Sequence, residues 1–347
     1  MQLPDVPNPL HMAVVVGINR YPGLTDLRSA RQDAQRFAEW LVAVDGGGLH
    51  PDNVRKVEAT GDEAPLDDPF NARPMKVHID HAIQELEQRA AIVVRQRPDL
   101  WKQTRIYVYL AGHGFLPFGG RGALLTAEAT ANLPGANIEV ERYVERLRAA
   151  TEFHEIVVFM DCCRDFAITV PAGEPTWHLK QGVRKPVKTL VGFAATAGDP
   201  AFAVVRRKDS GESRGWFTAS LLRALRGDAA DPETGLISAV QLAPFLECDL
   251  VARSRPGMRQ IPEMIGTMTD PIVFGRRSRS EFPVRFHRAD VGVELLILDG
   301  NLETAGRVKG PDPTVELHLP QARYQLVAQD GRSGSVFTVN GATDVSC

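Results

Sequence analysis

Long apolar runs are missing from these 347 residues, and no stretch reaches the roughly 20 residues that a membrane-spanning helix requires. The opening MQLPDVPNPLHMAVVVGI places prolines and an acid where a secretory leader needs a basic segment and an apolar core. A cytoplasmic location without membrane attachment is therefore expected. Positive charge is not in excess either. Forty Lys and Arg against 43 Asp and Glu leave a net charge of -3, which argues against nucleic acid as the partner. Cysteine is scarce, with 4 in the chain and two of them adjacent, so no disulfide framework is expected and the thiols should stay reduced. No second Cys-x-x-Cys or His-x-x-His stands at ligand spacing, and neither metal nor other cofactor is expected. GINRYPG lacks the glycine spacing of a phosphate-cradling loop, which sets a nucleotide aside.

What is present is an ordinary globular composition, 44% apolar and 24% charged, enough for one large domain and a small one. AVVVGI (13–18) is a short Val-rich run of the kind covered on both faces in a sheet. Ala30, Ala34, Phe37, Ala38 and Leu41 then recur at helical spacing until the glycines at 46–48 end the pattern. The alternation repeats. VRKVEA (54–59) reads as a strand and Ile79, Ile83, Leu86 and Ala90 as a helix face; RIYVYLA (105–111) is a buried strand, followed by a glycine-rich loop and a helix from about 138 to 150. EIVVFMD (155–161) and TLVGFAATA (189–197) are further strands, and WFTASLLRAL (216–225) is a helix stopped by Gly227. This order predicts an α/β fold with a mainly parallel sheet, helices on both faces, and its sites at the carboxyl ends of the strands. Residues 167–188 read as an exposed linker and 206–215 as an exposed basic loop. Beyond GRRSRS (275–280) the pattern alternates apolar and polar with turn signals between, predicting a small all-β module over 281–347.

Chemistry gathers at two of the predicted strand ends. RIYVYLA runs into Gly112-His113-Gly114, and EIVVFMD runs into DCCRDF. If those strands are neighbours, an imidazole faces a thiol, and an imidazole is the usual device for favouring a thiolate at neutral pH. His113 and Cys163 are the candidate pair. Glycines beside the histidine would let the backbone approach a substrate, so that the amides of Gly114 and Cys163 form an oxyanion hole for acyl transfer.

With these motifs in order, the chain resembles the caspase-like cysteine proteases, nearest to the metacaspase and prokaryotic caspase-like members. The resemblance spans residues 12–275 and rests on AVVVGINRYPGLTDLRSARQDA, YVYLAGHGF, VVFMDCCRDF and GWFTASLLRAL. The 50-residue interval from His113 to Cys163 fits the caspase rule. It implies a cysteine endopeptidase of peptidase family C14 on a caspase-like fold, with D-x-C choosing Cys163 as nucleophile and leaving Cys162 in the variable position. It also implies a basic P1 pocket built from Asp33, in the pattern L-R-x-x-x-x-D-A, and Asp161, two before the nucleophile. Cleavage of protein or peptide substrates after Arg, with Lys weaker, is expected, because two carboxylates suit a guanidinium fork. Arg164-Asp165-Phe166 departs from the usual His-Ser-Gly of metacaspases, and their calcium-binding acidic cluster is not recognisable. The family implies a latent form activated by an upstream sensor or protease, with cleavage within 167–188 or at Arg206, Arg207 or Lys208, and a role in bacterial stress, cell death or defence. A catalytically latent scaffold and a cysteine hydrolase acting on a small molecule are the alternatives.

Overall fold

The computed structural model describes residues 5–58, 68–130, 132, 133, 135–167, 170–177, 185–199, 201–205, 213–253, 258–276, 281–288, 291–299, 304–320, 322–328, 333–339 and 341–347. They divide into two compact units, Met1–Arg277 and Ser278–Cys347.

The first unit is organised by a six-stranded sheet of β1 (His11–Gly17), β2 (Val54–Glu58), β3 (Arg105–Ala111), β4 (Glu155–Asp161), β5 (Lys188–Phe193) and β6 (Glu263–Gly266). Their order across the sheet is β6-β5-β4-β3-β1-β2, and only β6 runs antiparallel to its neighbour. Successive side chains of a strand point to opposite faces, and here each face receives its own helices. Tyr107, Tyr109, Val157 and Phe159 pack with α1 (Ala30–Val42), α4 (Trp216–Arg223) and α5 (Ala239–Arg253). Ile106, Val108, Ile156 and Val158 pack with α2 (Lys76–Gln96) and α3 (Val140–Ala150) on the other side. The expected mainly parallel sheet with helices on both faces is thus what forms, because β1, β3 and β4 carry apolar residues at both odd and even positions.

Three local expectations are corrected. Residues 137–139 form a strand, so the helix expected from 138 starts at Val140, where the Glu139 carboxylate caps it by accepting the Arg142 amide at 2.8 Å. The glycine-rich stretch after His113 is a hairpin, Gly114–Pro117 with Ala123–Leu125, and not a loop. The segment 171–177 is strapped to the helices and not an exposed linker. Thr176 Oγ1 donates to Asp80 Oδ2 at 2.5 Å, Trp177 Nε1 donates to Glu87 Oε2 at 2.9 Å, and the Arg146 guanidinium lies 5.1 Å from the Trp177 ring. Arg206, Arg207 and Lys208, as well as Lys180 and Arg184, lie outside the described residues.

The second unit is all β. Thr314–Pro320, Glu281–His287 and Thr343–Ser346 make one sheet, and Thr304–Val308, Leu295–Leu298, Ala322–Ala328 and Ser333–Val339 make another. Phe286, Ile297, Tyr324 and Val339 are among the side chains of its own core. No helix among the described residues is long and apolar enough to cross a membrane.

Candidate active site

The pairing of β3 with β4 sets the site. Ala111 stands opposite Asp161 at the strand ends, and beyond the turns Phe115 again stands opposite Asp165. The 50-residue offset is the same before and after the turns, so the loops carrying His113 and Cys163 run side by side at equivalent positions. Their backbones touch. A Cβ placed on Gly114 would lie 2.5 Å from Cys162 Cβ and 2.6 Å from the Cys163 carbonyl oxygen, so the neighbouring loop itself requires glycine here.

The imidazole has a defined orientation. His113 Nε2 lies 2.6 Å from the Thr25 carbonyl oxygen, which can only accept, so Nε2 carries the proton and Nδ1 is the basic nitrogen. Thr25 sits in the turn between β1 and α1. The sequence offers no sign of this partner, since a backbone carbonyl has no residue type.

The two cysteines differ in environment. Cys162 is buried at 2% exposure and its thiol approaches the Leu110 carbonyl at 3.8 Å; burial first, then the Asp161 charge, pushes its pKa well up. That environment suits an inert thiol. Cys163 is half-buried, with Sγ receiving the Ala201 amide at 3.2 Å and lying 3.7 Å from the Ala201 carbonyl.

Arg164, met in the sequence only as a departure, is among the largest fully buried side chains in the protein. Its Nε donates to the Arg121 carbonyl at 2.7 Å and Nη1 to the Ala195 carbonyl at 3.0 Å; it also pairs with Glu263 on β6, and its guanidinium lies 4.1 Å from the Phe193 ring centre. Its own amide donates to the Asp199 carbonyl at 3.2 Å, while its carbonyl accepts from Gly198 at 2.9 Å. The cysteine loop is thereby tied to the hairpin, to the segment after β5 and to β6. A charged residue type next to Cys163 gave no sign of this burial.

Asp33, in the first turn of α1, and Asp161 also come together, at the start of α4. Asp33 Oδ2 accepts the Gly215 amide at 2.8 Å and Oδ1 accepts from Arg36 at 3.1 Å. Asp161 Oδ2 accepts the Thr218 amide at 3.2 Å and its hydroxyl at 2.6 Å. A Cβ on Gly215 would lie 2.5 Å from Asp161 Oδ2 and 3.0 Å from Asp33 Oδ2, so the glycine lies between the two carboxylates. Both acids are satisfied in part by orphan amides of the α4 N-terminus. Burial raises Asp161 to about 6, and burial followed by the Asp161 charge raises Asp33 to about 7. Asp33 also lines a cavity of about 550 Å³ whose other walls include Arg36, Arg214, Gly215 and Trp216.

The loops that carry the half-buried Cys163 thiol and the oriented His113 imidazole thus run side by side at the carboxyl edge of a parallel sheet. Residues 10–273 match the caspase domain, and the chain belongs to that family. A probable protease from a Desulfuromonadales bacterium is 30% identical over 226 residues, which cover 62% of this chain and 26% of that protein. The chain spans about a quarter of the length of that curated relative. Among solved structures, pro-sf-caspase-1 is similar at 14% identity with a TM-score of 0.43, covering 74% of this chain and 90% of that one. A protein from Geobacter sulfurreducens is similar at 14% identity and a TM-score of 0.42, covering 74% and 92%.

Proposed function

We propose that this chain is a cysteine endopeptidase in which Cys163 is the nucleophile, His113 the base, the amides of Gly114 and Cys163 the oxyanion hole, and Asp33 with Asp161 the selector of a basic P1 residue. The observation that carries the reading is the equivalent placement of His113 and Cys163 on touching loops, with Nε2 of the imidazole already bonded to Thr25. His113 takes the thiol proton on Nδ1, the thiolate sulfur bonds to the substrate carbonyl carbon, and the carbonyl oxygen becomes an oxyanion. The imidazolium then returns that proton to the leaving amine as the C–N bond breaks. Water, deprotonated by the same imidazole, hydrolyses the thioester and restores the thiol.

Selection of Arg is supported by the acid pair. Two buried carboxylates, one of them raised further by the charge of the other, gain most from a planar cation placed between them, and Arg fits this better than Lys. A second reading, for an acidic P1, draws on Arg36 and Arg214 in the wall of the same cavity. The enzyme would act in the reducing cytoplasm on protein substrates as a regulated effector of bacterial stress, cell death or defence. With 171–177 strapped down, activating cleavage is proposed to fall in the rest of the interval 167–188 or at Arg206–Lys208.

The test is hydrolysis of fluorogenic peptides ending in Arg, Lys, Asp or Ala by the full chain and by Cys163→Ala, before and after limited proteolysis. Arg-selective turnover lost in the variant is expected. Preference for Asp would move selection from the acids to the arginines, and turnover surviving in Cys163→Ala would end the assignment of the nucleophile.

A further inference from the structure

In the sequence, GINRYPG set nucleotide binding aside and lay within one stretch of the family resemblance, with no role given to its tyrosine. In the structure its tyrosine stands against the imidazole. Tyr21 is 3% exposed, and its hydroxyl accepts the His113 amide at 3.0 Å while donating to the Leu125 carbonyl at 3.2 Å. Leu125 returns its own amide to the His113 carbonyl at 2.8 Å, closing a ring of bonds around the histidine backbone. The Tyr21 and His113 rings meet edge to face, with centres 4.9 Å apart and planes at 60°. Four residues on, Thr25 holds Nε2 through its carbonyl. The turn that carries both partners is closed locally: Tyr21 donates its amide to Asp26 Oδ1 at 3.2 Å, and Leu27 donates its own to the Asn19 carbonyl at 2.7 Å. Gly112 completes the fit, because a Cβ there would collide with the Tyr21 hydroxyl.

We propose that Tyr21 is a positioning residue for His113, locking the backbone through its hydroxyl and the ring plane through its edge-to-face contact, so that Nδ1 is held toward the Cys163 loop. The proposal rests on the reading of His113 as the base. One phenol oxygen serves at once as acceptor and donor, a task that no apolar residue of the same shape performs. Burial pushes the Tyr21 pKa well above its ordinary value, which keeps the hydroxyl protonated throughout the working range. The turn between β1 and α1 is in this view part of the catalytic apparatus rather than a connection.

The experiment compares the full chain with Tyr21→Phe, Asp26→Ala and His113→Ala in two assays: alkylation of Cys163 by iodoacetamide from pH 5 to 9, and peptide hydrolysis. Asp26 is exposed on the outer side of the turn, so its variant loosens the turn without touching the core. In Tyr21→Phe, alkylation near pH 6.5 should fall most of the way to the His113→Ala level, with kcat down about 10- to 100-fold and KM within about twofold. Asp26→Ala should shift both readouts in the same direction by a smaller factor. If both variants keep the wild-type alkylation profile and kcat, or if kcat falls only in proportion to folded fraction while the profile is unchanged, Tyr21 does not position His113. A wild type that alkylates with the expected profile yet cuts no peptide would sink the peptidase reading and leave the role of Tyr21 standing.

Discussion

Asp33→Asn tests the acid pair through the stability of the folded chain. In the native state Asp33 titrates at about 7 against its ordinary 3.8, first because it is buried and second because Asp161 lies beside it, with the Gly215 amide and Arg36 opposing. The folded protein therefore holds the Asp33 proton more tightly than the unfolded chain does between about pH 4 and 7. Stability is present below that window and falls as pH rises through it. At about 1.4 kcal/mol per unit, ionising Asp33 costs the fold roughly 4 kcal/mol in total, of which roughly 2–3 kcal/mol is lost between pH 5 and 8. Asp161, raised to about 6, adds a smaller loss of the same sign. Asparagine still accepts the Gly215 amide but carries no charge, so the variant should match wild type near pH 5, exceed it by roughly 2–3 kcal/mol at pH 8, and show about a third of the pH slope. Urea unfolding followed by tryptophan fluorescence reads the right unit, since Trp40, Trp101, Trp177 and Trp216 all lie within Met1–Arg277. An arginine-mimicking inhibitor should also tighten from pH 5 to 8 in wild type, and by less in the variant, where only Asp161 is left to ionise. A wild type with flat stability from pH 5 to 8, or a variant with an unchanged slope, would refute the picture of two carboxylates repelling each other in a dry site.

Arg164→Met should cost roughly 3–5 kcal/mol, because it strands the Arg121 and Ala195 carbonyls and takes from Glu263 the nearer of its two cations, leaving only Arg121 at 3.9 Å; Glu263→Gln added to it should recover part of the loss. Thermal and urea unfolding of the single and double variants measure this. Trp177→Ala removes a ring packed edge-on against Tyr143 and bonded to Glu87, which at roughly 3 kcal/mol should raise trypsin cleavage in 167–188 by about 10- to 100-fold while leaving global unfolding of the sheet little changed. Mass-mapped limited proteolysis would show it.

Much of the frame was legible in the chain itself. Apolar residues at both odd and even positions through the middle of β1, β3 and β4 can only be satisfied by a sheet covered twice, and the helical spacing of Ala30 to Leu41 and Ile79 to Ala90 supplies the covers. The order of Gly112-His113-Gly114 and Asp161-Cys162-Cys163 after two such strands named the candidate pair. The hairpin after His113 escaped because Gly119 and Gly120 read equally well as loop, and its pairing with 165–167 depends on a partner 50 positions away.

Residue type and period thus determined by themselves the layers, the strand ends and the chemistry available there, since these follow from where apolar side chains recur and which groups stand next to them. Only the tertiary structure decided which contacts hold that chemistry in place. The Thr25 carbonyl on Nε2, the Tyr21 hydroxyl on the His113 amide, the burial of Arg164 and the sharing of the α4 N-terminus by Asp33 and Asp161 all join residues far apart in sequence, several through backbone atoms. Backbone donors and acceptors are the same at nearly every position, so their pairing is written in distance and not in the alphabet of side chains.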